Sequence, residues 1–275
     1  MRNNRSVFFV LLSLLFICDS RNVSGQELAS NQWQLVFEDN FDGNVLDRTK
    51  WRDAPRTTAL WAKWIRNDKK TVKLRKGRLV CSAISVRPSK EDTATWHTGA
   101  INSLGKFNFQ YGKVEVRMRT NAKQGNFPAA WLRPIDQSKS SLYGEFDLME
   151  SFGREGKAHQ TIHSHRSATL RKEKPHEYLR KIDVTKWHVY SMEWTDSLVI
   201  FKIDGYVTGA YEKSKSSKEI SEGQWTFDRP YYLILNQSLG GRDWNQPKRG
   251  VRYETEFDWV RVYQKQSPVF SRKKD

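Results

Sequence analysis

The sequence predicts an all-β fold, a two-sheet β-sandwich of the jelly-roll kind, on three observations. Short runs of β-branched and aromatic residues recur along the chain, turn-forming pairs separate them, and no stretch sustains a helical period. Trp33 to Phe37 opens the series. Arg78 to Val86, Gly112 to Arg119, Trp187 to Trp194 and Leu198 to Ile203 follow, each alternating or clustering strand-forming side chains. Asp42-Gly43, Lys76-Gly77, Asp204-Gly205 and Gly240-Gly241 supply the turns. Lys213 to Glu222 is charged and Ser-rich and reads as a loop. A chain of 275 residues fits one large domain or two small ones, and all-β sandwiches often use this much for a single core.

The N-terminus reads as a secretory signal over residues 1–25. Arg2 and Arg5 make a basic start, and the apolar run from Val7 to Cys18 is too short for a membrane span. Val23-Ser24-Gly25 offers a cleavage site, which makes Gln26 the expected mature start of a secreted protein, extracellular or periplasmic. Lipid anchoring at Cys18 is the alternative, disfavoured by Ile17 before it. No later segment resembles a membrane span. Residues 26–264 then form the ordered domain, and residues 265–275 a basic tail expected to be disordered.

Cleavage leaves Cys81 as the lone cysteine, so no internal disulfide forms and packing, with or without a metal, must hold the core. The formal charge is +16, and +14 once Arg2, Arg5, Arg21 and Asp19 are removed. Such an excess attracts an anionic polysaccharide or cell surface, or simply keeps the protein soluble. Nucleic acid is not expected as a partner, because the cations are scattered along strands without an accompanying motif. Eleven Trp, ten Tyr and fourteen Phe serve either a core of large residues or an exposed surface on which sugar rings stack.

The most informative segment is Gly144-Glu145-Phe146-Asp147-Leu148-Met149-Glu150. Alternation puts Glu145 and Asp147 on one face and Phe146 and Leu148 on the other. Glu150 stands at an odd offset from Glu145, and in a regular strand it would enter the core. A β-bulge at Leu148-Met149 returns it to the face of the other two carboxylates. On one face, Glu145 and Glu150 approach the separation of about 5–5.5 Å used by retaining glycosidases, with Asp147 between them. A calcium site or a solvated acidic edge strand would explain the same triplet.

The segment resembles the E-x-D-x-x-E motif of glycoside hydrolase family 16 in its bulged, laminarinase-like form. Other matching segments lie in the family's order. They are Leu35 to Gly43, Phe109 to Arg117, Gly125 to Leu132, Trp187 to Gly205 and Phe257 to Tyr263. The resemblance implies a jelly roll with a concave substrate cleft and retaining endo-hydrolysis of β-linked glycans. It makes Glu145 the nucleophile, Asp147 its helper and Glu150 the acid/base. It further implies sugar contacts by Glu115 and Arg117, which alternate with Val114, Val116 and Met118, and by Trp131, His163 and Asn236. Tyr143 shares the face of Glu145 and is a stacking candidate. His163 and His165 could suggest a metal, but a third ligand at useful spacing is missing. Trp61, Trp64 and Trp244 are expected to rim the cleft, where the loops depart from the common laminarinase pattern.

Catalysis by this family calls for no cofactor. A structural calcium on the convex face is implied at Glu38, the Gly77 carbonyl and Asp258. The expected substrate is a β-1,3- or mixed β-1,3/1,4-glucan, cut by a monomer. A sulfated galactan or mucin-type glycan, or carbohydrate binding without catalysis, are the alternatives.

Overall fold

The computed structural model describes residues 33–138, 142–241 and 245–265. The expected signal segment, most of the basic tail and Trp244 lie outside them. Two antiparallel sheets face each other. The front sheet runs β2 (Arg52–Asp53), β5 (Trp96–Asn102), β14 (Tyr231–Leu239), β7 (Asn126–Pro134), β8 (Gly144–Glu150), β9 (Lys157–Ser164) and β10 (His176–Lys181). The back sheet runs β3 (Val72–Leu74), β4 (Leu79–Ser85), β15 (Tyr253–Lys265), β6 (Gly112–Thr120), β11 (His188–Trp194), β12 (Leu198–Ile203) and β13 (Tyr206–Glu212). A further strand, β1 (Trp33–Asp39), lies along β15. The first half of β5 also pairs with β4, so the two sheets are continuous there. The front sheet is curved, as the expected cleft requires.

Alternation builds the core. On β6, Val114, Val116 and Met118 are buried while Lys113, Glu115, Arg117 and Arg119 are not. From the front sheet Leu132, Phe146, Leu148, Leu233 and Leu235 turn inward to meet them. Trp194 on β11 is the hub between the layers, with ring centres 5.2 Å from both Phe146 and Tyr111 and 5.3 Å from Tyr231. Gly144 lets β8 start against this hub, because a Cβ there would stand 2.1 Å from the Tyr231 hydroxyl. The Asp204-Gly205 pair makes the β12–β13 hairpin with φ of 52° and 82°, the positive region that Asp and Gly tolerate.

Four expectations need correction. Glu115 and Arg117 do share a polar face, but β6 belongs to the back sheet and that face is the outer one. Glu115 pairs with Lys113 at 3.1 Å and Arg117 with Asp258, so neither reaches the cleft side. Alternation reveals which residues share a face, not which sheet carries it.

The calcium set does not fit a divalent ion. Glu38 accepts from Arg261 Nε at 2.7 Å, and Asp258 is held by Arg117 with Arg78 at 3.7 Å. A cation would have to displace guanidinium groups from both carboxylates, and the Gly77 carbonyl alone offers little. Lys265 closes β15 opposite Trp33 instead of opening a tail. Within Lys213 to Glu222, α2 (Ser217–Ser221) forms a short helix capped by the Ser216 side chain, which accepts from Glu219 N.

Candidate active site

Strand β8 runs between β7 and β9 and carries the bulge. Against β7, Asp147 opposes Trp131 and Met149 opposes Ala130; against β9, Asp147 opposes Thr161 and Glu150 opposes His159. Leu148 and Met149 therefore fill the space of one regular position, and both are fully buried. Glu145, Asp147 and Glu150 all emerge on the concave face, as the odd spacing requires.

Directly paired residues share a face, which allows the cleft floor to be traced across the sheet. One row runs Glu177, Thr161, Asp147, Trp131, Ile234, Asn102, Arg52 from β10 to β2. Trp131 is the centre of this floor. Its Nε1 donates to Asn236 Oδ1 at 2.7 Å, and Trp61 meets its ring edge-on at 4.9 Å. Ala129, Tyr232 and Ile234 pack around it in one apolar cluster, and all four are buried.

Asn236 is only 1% exposed and spends its amide internally, accepting from Trp131 and donating to Ser238 Oγ at 2.8 Å. The expected sugar contact by Asn236 is thus corrected: it fixes the tryptophan from below. Trp61 takes its expected place at the cleft. Trp64 instead packs with the cluster of Trp96, Leu239 and Tyr253, because its loop folds toward the β4–β5 junction.

Glu145 is surrounded by donors. Tyr143 OH donates to its Oε2 at 2.8 Å, Arg133 Nη1 lies 3.5 Å from the same oxygen, and His163 Nε2 lies 3.7 Å from Oε1. Arg133 also stacks on the Tyr143 ring at 4.7 Å. Tyr143 is thereby committed to the carboxylate and the guanidinium, and sugar stacking is not its first role. His163 Nε2 is 2.9 Å from Asp147 Oδ2. His165 sits in α1 (His165–Ala168), where its Nδ1 accepts from Tyr143 N at 3.1 Å. The two histidines of the His-x-His pair therefore serve different partners.

Electrostatics separate the two glutamates. Burial raises Glu145 to about 7, aided by the Asp147 charge and opposed by His163, Arg133 and the Tyr143 hydrogen bond. Burial raises Glu150 well above the ordinary range, and the charges of Asp147, Glu145 and Glu177 push it further up. Burial alone would lower His163, but the hydrogen bond and charge of Asp147, with the charge of Glu145, raise it to about 9. Glu145, Asp147 and His163 could each offer one metal-ligand atom, all within 4.8 Å of one another. A protonated imidazole that donates to Asp147 is a poor ligand, so the arrangement favours a charge network.

Arg133, His159, Glu155 and Glu177 were not foreseen. His159 Nδ1 is 2.6 Å from Glu177 and its Nε2 2.7 Å from Glu155, beside Glu150 in the register. Arg133 was readable, since it alternates with Trp131 on one strand face. Glu177 carried no signal, because only the β9–β10 pairing brings it to the site.

A family model described as "Glycosyl hydrolases family 16" matches residues 58–261. A keratan-sulfate endo-1,4-β-galactosidase of Sphingobacterium multivorum is 28% identical over 257 residues, covering 89% of this chain and 58% of its own length. A β-glucanase of Rhodothermus marinus is 28% identical over 274 residues, covering 92% of each. A solved structure described with endo-acting O-glycanases of the human gut microbiota that initiate mucin breakdown superimposes with a TM-score of 0.72 at 30% identity. It covers 83% of this chain and 98% of that one.

Proposed function

From the premise that this chain belongs to glycosyl hydrolases family 16, and so is a glycoside hydrolase, we propose a secreted, retaining endo-β-glycosidase with Glu145 as nucleophile and Glu150 as acid/base. The observation that carries the proposal is the bulge, which sets both glutamates on one face flanking Asp147. In the first step a Glu145 carboxylate oxygen bonds to the anomeric carbon while the glycosidic C–O bond breaks. Glu150 gives its proton to the departing oxygen. In the second step Glu150, now ionised, takes a proton from water, whose oxygen bonds to the anomeric carbon. Glu145 leaves as a carboxylate. Asp147, held by His163, spaces the two charges. The steps use carboxylates and water alone.

The curved front sheet, with the half-buried Trp61 beside Trp131, supports internal attack on a polymer. A β-1,3- or mixed β-1,3/1,4-glucan is the first substrate reading, supported by the β-glucanase matched along 92% of both chains. A galactan or mucin-type glycan is the second, favoured by the keratan-sulfate and O-glycanase relatives. The presence of all three carboxylates argues against a purely binding role. Among the described residues, no helix is long and apolar enough to cross a membrane, and the basic-apolar start of the chain supports export.

Glu145→Gln and Glu150→Gln are each expected to abolish turnover on a panel of laminarin, mixed-linkage glucan, keratan sulfate and mucin glycans, with circular dichroism unchanged. Azide should rescue Glu150→Ala on an activated substrate. Proton NMR of the first product should show the β-anomer, and initial release of the α-anomer, or full turnover in either Gln variant, would refute the mechanism.

A further inference from the structure

Arg52 differs from the other cations of the concave face. Its register partner Asn102 places it at the far end of the row that begins at Glu177. Four strand spacings separate it from Asp147, roughly 19 Å. Neighbouring Arg48 is taken by Asp53 at 3.0 Å, and Arg133 is committed to Glu145 at 3.5 Å. Arg52 is exposed and has no ion-pair partner among the described residues. Between it and the glutamates the row is floored by the buried Trp131 and Ile234, with the half-buried Trp61 packed edge-on against Trp131.

A glycan lying along the row from the cleaved bond would pass the half-buried Trp61 ring and reach Arg52 several sugar units away. We propose that Arg52 binds an anionic substituent of the glycan, a sulfate ester or a carboxylate, and so favours a charged chain over the neutral chain of the same backbone. The proposal rests on the assignment of Glu145 and Glu150 for the position of the cleaved bond. A guanidinium offers paired N–H donors to an oxyanion, a match that a neutral hydroxyl cannot return. The site is open to water, so the gain is modest and salt-sensitive. The contact is alike in ground and transition states, which places its effect in KM and not in kcat.

The test measures equilibrium binding in the Glu145→Gln background, where turnover does not interfere. The probes are oligosaccharides from keratan sulfate before and after desulfation, and laminarin oligosaccharides before and after oxidation at C6 to carboxylates. At least one charged member should bind roughly ten-fold tighter than its neutral counterpart, and Arg52→Gln should remove most of that preference. Preference in the keratan pair alone identifies sulfate as the ligand group, and in the laminarin pair alone the carboxylate. Equal affinity within both pairs, or a preference that survives Arg52→Gln, overturns the proposal. Persistent turnover by Glu145→Gln would sink the catalytic assignment instead, and the binding comparison would still decide the role of Arg52.

Discussion

Glu145 and Glu150 are the same side chain in two environments, and the environments divide the chemistry. Glu145 has a phenol, a guanidinium and an imidazolium around it, while the charges that act on Glu150 are all carboxylates. Glu145 is therefore the one to ionise first, as a nucleophile must, and Glu150 keeps its proton, as an acid must. The profile of kcat/KM against pH should rise through about 7 as Glu145 loses its proton and fall at higher pH as Glu150 does. Removing the His163 cation in His163→Ala should move the rising limb to higher pH. Glu177→Gln removes a charge that raises Glu150 and should move the falling limb to lower pH. An unmoved profile in both variants would break this account.

Stability follows the same shifts with a definite sign. A folded-state value raised above the unfolded one contributes stability that is present below the unfolded value and is lost as pH rises through the folded value. For Glu145 that window runs from the ordinary 4.5 to about 7. Glu145→Gln cannot ionise, so it should match the parent at pH 4 and exceed it at pH 8 by up to ~3 kcal/mol. Urea unfolding at the two pH values measures the difference.

At the scale of the element, the bulge in β8 was legible because, with Glu145, Asp147 and Glu150 on one face, the adjacent core residues Leu148 and Met149 break regular alternation. Alternation on β6 was equally legible and right about the shared face, but the resemblance carried Glu115 and Arg117 to the cleft, and local periodicity holds no information about sheet membership to correct it. The partners of the site came least from sequence. Arg133 and Asn236 owe their roles to the β7–β8 and β7–β14 registers, which are long-range pairings. Deleting Met149 should restore a regular β8 in which Glu150 stands four positions after Glu145 and stays on the cleft face, with Leu148 alone turned inward between Asp147 and Glu150. Turnover should fall far less than in Glu150→Gln, because the carboxylate keeps its face, while the melting temperature drops with the loss of the buried Met149 side chain. A deletion as inactive as Glu150→Gln would show that the bulge itself, and not only the shared face, sets the acid in place.

At the scale of the molecule, 47 basic residues against 31 acidic ones raise the question of how so much charge is borne. On the outer face of the back sheet much of it is organised. Arg78, Arg117 and Arg119 surround the Trp187 ring at 5.0, 4.9 and 4.7 Å. Glu256 takes Arg75, Arg78 and Arg119, and Asp258 takes Arg78 and Arg117. This network ties β15 to β6 and to the β3–β4 hairpin, the task that a structural calcium would otherwise perform. The side chains are partly exposed, so each pair contributes little alone, and Asp258→Asn should cost on the order of 1 kcal/mol by leaving two guanidinium groups without their shared acceptor. High salt should lower the melting temperature of the parent more than that of Asp258→Asn, because screening acts on the pairs the variant lacks. Chelator and excess calcium should leave both proteins unchanged, since a ligand raises stability only where the folded chain binds it. A clear rise in melting temperature with calcium would mean that the ion displaces Arg117 or Arg261 from its carboxylate, and would return Glu38 and Asp258 to the role of metal ligands.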